Sequence, residues 1–199
     1  PGECIYTDIC GKFTTKSCGG AKYFILFLDG ATRYAHTVAL SKKSQAFKHF
    51  KRFYATFKTK HPKLRIKRVR SNNGGEYIDS EFLNWMADKG IDHDPTAPYS
   101  SHQNGPAERV LRILEDRIRC MLFDANMSIE WWAEALQTAT YIYNCTVSTR
   151  NTITPYERWH GAKPDLSHMR PFGAIAHTIN EKAPTLENRT KECRLIGYS

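Results

Sequence analysis

What most limits the architecture open to this chain is its longest apolar run, Tyr23, Phe24, Ile25, Leu26, Phe27 and Leu28. Six residues fall far short of the roughly 20 that a membrane-spanning helix needs. The run therefore belongs to a buried strand. With their flanks, residues 22–29 and 34–40 read as a hairpin turning at Gly30, and residues 4–9 supply another short β-like run. Three antiparallel strands open the chain, which commits it to an architecture built on a sheet.

Helices follow. Across residues 44–58, Phe50, Phe53 and Phe57 recur at helical spacing. Lys48, Lys51, Arg52 and Lys58 occupy the remaining surface, where they solvate the outer face, and no site is assigned to it. Residues 64–70 predict a fourth strand ending in the polar turn 71–75, and Ser80 caps a short helix that Gly90 ends. Residues 91–94 form a fifth strand, and the Pro- and Ser-rich stretch 95–105 is a loop. Asn104 and Pro106 start a long helix carrying Val110, Leu111, Leu114, Ile118, Met121 and Leu122, and residues 129–144 form another with Trp132, Leu136, Ala139 and Tyr143 on one stripe. Prolines at 155, 164 and 171 then interrupt the pattern, and residues 174–179 and 194–198 read as a terminal strand pair. A boundary near residue 150 gives a core, 1–150, and a small β-containing extension, 151–199.

Length and composition are compatible with one well-buried core: 199 residues, 41% hydrophobic and 25% charged. Six cysteines without a Cys-x-x-Cys pair read as reduced thiols, which fits a cytosolic or nuclear compartment. No secretory-type leader opens the chain, no membrane association is expected, and the start at Pro1 reads as a piece of a processed polyprotein. The net charge of +9 favours a polyanionic partner, but charge alone does not identify one.

Polar groups fall at strand and helix ends in three places where a core would not want them: Asp8, the turn at Asn72, and Glu108. Divalent ions clamping a phosphodiester displacement prefer carboxylate oxygens drawn from rigid neighbouring elements, so this pattern points to a metal site.

At these places the chain resembles the copia-type integrases. The likeness runs through Tyr6-Thr7-Asp8-Ile9-Cys10-Gly11, Arg70-Ser71-Asn72-Asn73-Gly74-Gly75-Glu76-Tyr77 and Pro98-Tyr99-Ser100-Ser101-His102-Gln103-Asn104-Gly105-Pro106-Ala107-Glu108-Arg109. It continues in Trp132-Ala133-Glu134-Ala135, Thr154-Pro155-Tyr156-Glu157, Phe172-Gly173, Lys191-Glu192-Cys193 and Ile196-Gly197-Tyr198-Ser199. The 35 residues between Asn72 and Glu108 equal the family's usual gap between its second and third carboxylates.

The resemblance implies an α/β, ribonuclease H-like fold, a five-stranded mixed sheet flanked by helices. It implies trimming of element DNA ends and their transfer into target DNA, with Mg²⁺ or Mn²⁺ as cofactor. By position Asp8 is the first metal carboxylate and Glu108 the third; Asn72 stands where the family has aspartate. Its neutral carbonyl oxygen removes one negative charge from between two mutually repelling cations, so weak metal binding and little or no strand transfer are expected. Glu76 and Asp79 are the nearby carboxylates, and rescue by either is not expected. DNA contacts are expected at Asn73, Tyr99, Gln103, Asn104, Arg109 and Arg112, although Arg112 equally suits a pair with Glu108 one turn away. His102 reads as an exposed loop residue. Homo-oligomerisation and residence in a cytoplasmic virus-like particle and the nucleus complete the expectation. The rival reading is a domesticated or decayed copy kept as a DNA-binding or protein-interaction module. A hybrid-cutting nuclease of the same fold ranks last, for want of a fourth acidic residue.

Overall fold

In the computed structural model, residues 1–72, 74, 80–95, 104–148, 152–180, 184 and 189–198 are described. The central element is β1 (Ile5–Cys10), which pairs antiparallel with β2 (Tyr23–Asp29) and parallel with β4 (Arg68–Ser71). Strand β3 (Ala35–Leu40) pairs antiparallel with β2, and β5 (Asp92–Pro95) runs parallel to β4, giving a mixed sheet in the order β3-β2-β1-β4-β5. The expected five strands are present. The fourth is shorter than predicted, covering only the second half of residues 64–70.

Alternation along the strands sorts side chains to two covered faces. Ile5 and Ile9 of β1, with Ile25 and Phe27 of β2, pack under α1 (Ala46–Lys60) and α2 (Ser80–Asp88). There Phe27 stacks on Phe53 with ring centroids 5.0 Å apart, and Phe50 meets Phe82 at 5.2 Å. Tyr6 and Cys10 of β1, with Phe24, Leu26 and Leu28 of β2, pack instead under α3 (Gly105–Asp124) and α4 (Trp132–Cys145). The apolar run at residues 23–28 thus feeds both faces at once, which is why it lacks a polar alternation. The result is the expected architecture, a five-stranded mixed sheet between two helical layers.

Strand β3 is a sheet edge, and α4 covers it. Asn144 Oδ1 accepts from Ala35 N while its Nδ2 donates to Ala35 O, both at 2.8 Å, and Thr37 and Thr140 share a hydroxyl hydrogen bond of 2.8 Å. The two Asn144 bonds satisfy backbone groups that an open edge would leave available for pairing with another chain.

The region after residue 151 departs from the expectation in two ways. A short helix, α5 (Pro155–His160), occurs where only a proline break was read; Thr154 Oγ1 accepts from Glu157 N at 3.0 Å, and Gly161 closes the helix at φ 74°. Its Trp159 stacks on Tyr34 at 4.8 Å and lies within the α1 layer. The terminal pair is β6 (Ile175–Ile179) with β7 (Thr190–Arg194), so the second strand precedes the predicted 194–198. Tyr198 is engaged elsewhere: its hydroxyl bonds the Arg170 backbone and its ring lies 5.0 Å from Tyr141.

Candidate active site

Because Ile5, Thr7 and Ile9 point to one face of β1, Asp8 shares the opposite face with Tyr6 and Cys10, toward α3. Its neighbour β4 ends at Ser71, where the parallel pairing brings Asn72 alongside. Asn72 Nδ2 donates to Asp8 Oδ1 at 2.8 Å, Ile9 N donates to the same oxygen at 2.8 Å, and Asn72 Oδ1 accepts from Gly74 N at 3.0 Å. The amide therefore uses its donor on the carboxylate and its acceptor on its own turn.

Two contacts set α3 against β1. Asn104 Nδ2 donates to Thr7 O at 3.3 Å, and the Cys10 thiol donates to Glu115 Oε1 at 2.7 Å. Residues 104, 108 and 115 lie on one stripe of a helix, so Glu108 falls on the α3 stripe that carries both tethers. Burial and the Glu115 hydrogen bond push the Cys10 thiol well above its ordinary range, which keeps it a protonated donor.

Asn104 holds the N-cap position as expected but makes no capping bond. It is only 2% exposed, with its side chain turned to the sheet and its Oδ1 buried without a partner. It is thus placed to position α3 rather than to reach solvent. Arg109 and Arg112 are exposed on α3, and no ion pair joins Arg112 to Glu108 among the described residues. Asn73, Tyr99 and Gln103, with Glu76, Asp79 and His102, lie outside the described residues. Among the described residues no three His, Cys, Asp or Glu side chains gather as a metal-holding group.

A polar pair that the sequence reading passed over adjoins the site. Ser71 Oγ lies 2.9 Å from His93 Nε2 and donates to Asn72 O at 3.0 Å, tying β5 to the turn. Burial lowers the His93 pKa against the opposing pull of Asp94. The polar alternation Asp92-His93-Asp94 in a predicted strand was the available signal. Next to it Arg70 Nε donates to Asp94 Oδ2 at 3.0 Å. A mostly apolar cavity of about 630 Å³, lined by Phe13, Ile118, Leu122 and Trp132 among others, opens beside the far half of α3 and is not lined by Asp8 or Asn72.

Comparison with known proteins follows this geometry. The integrase core domain family matches residues 1–101, just over half of the chain, and the chain belongs to that family. It is an integrase core domain of the kind carried by retrotransposon Pol polyproteins of the copia type. It is 36% identical over 199 residues to the retrovirus-related Pol polyprotein from transposon TNT 1-94 of Nicotiana tabacum, covering 98% of this chain and 15% of that polyprotein. It is 26% identical over 202 residues to the Pol polyprotein from transposon RE2 of Arabidopsis thaliana, covering 100% of this chain and 14% of the relative. The chain therefore spans about one seventh of these relatives' length. Among solved structures, the simian T-cell lymphotropic virus intasome in complex with PP2A regulatory subunit B56 gamma aligns with a TM-score of 0.66 at 20% identity, covering 96% of this chain and 66% of that one. The catalytic core domain of BIV integrase aligns at 0.58 and 16% identity, covering 80% and 94%. These two likenesses show the fold.

Proposed function

We propose that this chain is the catalytic core of an enzyme that trims element DNA ends and joins them to target DNA, and that it is inactive or strongly impaired as its sequence stands. Family membership supports the first part. The observation that carries the second is the hydrogen bond from Asn72 Nδ2 to Asp8 Oδ1.

A divalent ion, Mg²⁺ or Mn²⁺, held between Asp8 and Glu108 would supply Lewis-acid polarisation of a phosphodiester oxygen. Two carboxylates from a central strand and a neighbouring helix fit one such ion. Asn72 does not extend the fit to a closely spaced pair, because its amide is neutral and its oxygen already accepts from Gly74 N. Its N–H group donates to Asp8 Oδ1, an oxygen that also accepts from Ile9 N and would have to give up that bond to bind a cation. Weak binding follows. Asp8, Asn72 and Glu108 are the residues assigned to the reaction, Asn104 positions α3, and exposed Arg109 and Arg112, with Asn73, Tyr99 and Gln103, are assigned to DNA phosphates. Each 1.4 kcal/mol of lost transition-state stabilisation costs about tenfold in rate, so a missing ligand charge worth a few kcal/mol removes orders of magnitude.

Homo-oligomeric assembly on DNA, and residence in a cytoplasmic particle and the nucleus, belong to the same proposal. The same Asn72–Asp8 bond also favours a second reading, a decayed copy retained for binding, since it completes the site without a cation.

The test compares this chain with Asn72→Asp in the reversal of strand joining on branched DNA, with Mg²⁺ or Mn²⁺. Activity in the Asp form alone, abolished by Asp8→Ala, is expected. Silence of both, with folding and DNA binding intact, would favour the binding module.

A further inference from the structure

Charge is unevenly distributed along the chain. Residues 30–75 hold 13 of the 29 Lys and Arg residues and none of the 20 Asp and Glu, so this segment carries +13 while the remainder carries −4. The whole positive excess of the molecule therefore resides in β3, α1, β4 and their connections.

The fold keeps it together. Helix α1 buries Phe50, Phe53 and Phe57 and turns Lys48, Lys51, Arg52 and, at its end, Lys60 outward; beyond its C-terminus Lys63 and Arg65 are exposed beside buried Ile66. Among the described residues none of these six has an acidic partner within 4.0 Å. Three acids around this surface are committed to other partners: Glu3 to Lys67 at 2.8 Å, Asp94 to Arg70, and buried Asp29 to Gly2 N and Thr32. Burial, and then the cations around them, lowers the pKa of His49 beside Arg52 and Lys48 and of His160 beside Lys60, as an unneutralised positive surface would.

Not every cation here is free for a ligand. Lys58 Nζ donates to the carbonyls of Pro62 and Leu64, and Lys51 rests 4.1 Å from the Phe47 ring centre. Basic side chains near a helix C-terminus also favour the helix dipole, which gives Lys58 and Lys60 a structural role. The dipole does not account for Lys48, Lys51 and Arg52, nor for Lys63 and Arg65 outside the helix.

The geometry points to a second nucleic-acid site: the outer face of α1 and the segment 61–67 bind the sugar–phosphate backbone of duplex nucleic acid, on the side of the sheet opposite α3. Preferring nucleic acid to an acidic protein rests on the integrase reading above and on the form of the surface. The cations lie spread along a helix of about 22 Å and the segment after it. A duplex presents a negative charge about every 1.7 Å and rewards such a spread by counterion release. Phe47 and Tyr54 of this helix are partly buried against the core, so the contacts read phosphate rather than base.

The test measures anisotropy of a labelled random-sequence duplex against NaCl, using the full 199-residue chain. One variant carries Lys48→Gln, Lys51→Gln, Arg52→Gln, Lys63→Gln and Arg65→Gln. A control removes five exposed cations elsewhere, with Lys12→Gln, Lys16→Gln, Lys163→Gln, Arg189→Gln and Lys191→Gln. Each lost phosphate contact should make the slope of log K against log salt shallower by about 0.9. The expected result is a slope shallower by about 2 or more than the control's, with affinity at least tenfold weaker near 0.15 M salt. Equal slopes for variant and control would overturn the site, as would polyglutamate binding the unaltered chain as tightly as the duplex. Duplex should also shield Lys48 and Lys63 of the unaltered chain from amine acylation, a readout that does not depend on the variants folding; unshielded lysines count against the site. Activity of Asn72→Asp with unchanged slopes sinks this site alone, and shallower slopes with a silent Asn72→Asp sink the catalytic reading alone.

Discussion

Asn72 shows how much one atom decides. Replacing its NH2 by O⁻ would turn a donor aimed at Asp8 into a second carboxylate 2.8 Å away, and like charges at that separation need a cation between them. Without divalent ions, Asn72→Asp should lose about 1.5–3 kcal/mol, the contribution of a hydrogen bond to a charged group, seen as a lower melting temperature in EDTA. Mg²⁺ should restore it in the variant and leave the unaltered chain nearly unmoved; equal Mg²⁺ responses would contradict the assignment of this position. Asp8, Asn72 and Glu108 were singled out by residue type, spacing and the family resemblance, and the structure joins the first two. The tether roles of Asn104, Cys10 and Glu115 were not legible, because each depends on which β1 atom meets which turn of α3.

At the scale of elements, periodicity carried most of the reading: the apolar repeats of α1, α3 and α4 lie where they were expected. What periodicity missed has a local cause. Helix α5 is too short for a repeat, and its signal was the capping sequence Thr154-Pro155-Tyr156-Glu157. The edge cover by Asn144 was hidden because a lone polar residue on an apolar stripe does not name its partner. Asn144→Ala should leave the buried N–H and C=O of Ala35 unpaired and cost roughly 2–5 kcal/mol, read as a lower urea midpoint at unchanged slope. A cost below 1 kcal/mol would mean that water reaches the β3 edge.

The molecule as a whole responds to pH through its histidines. Burial lowers the pKa of His36, His49, His61, His93 and His160. Each is therefore neutral in the folded state at pH values where the unfolded chain already takes up a proton. Stability from these groups is full above their ordinary pKa of 6.5 and falls as pH drops through it toward the depressed folded values. Chemical denaturation should show the midpoint falling between pH 7 and pH 5. His36, packed between Phe27 and Phe53, is the group to remove: His36→Gln should flatten that slope, and an unchanged slope would place the sensitivity elsewhere.

The sequence by itself determined the alternation of strands and helices, the family, the three polar positions of the site and the concentration of positive charge in residues 30–75, since all of these are properties of residue type and spacing along one chain. Only the tertiary structure decided that Asp8 faces α3, that the Asn72 amide donates to it, that Asn104 is buried as a tether, and that the cations of α1 lie across the sheet from the catalytic face. Those facts depend on which atoms meet across tens of residues, and packing and hydrogen-bond satisfaction settle that after the chain has closed on itself.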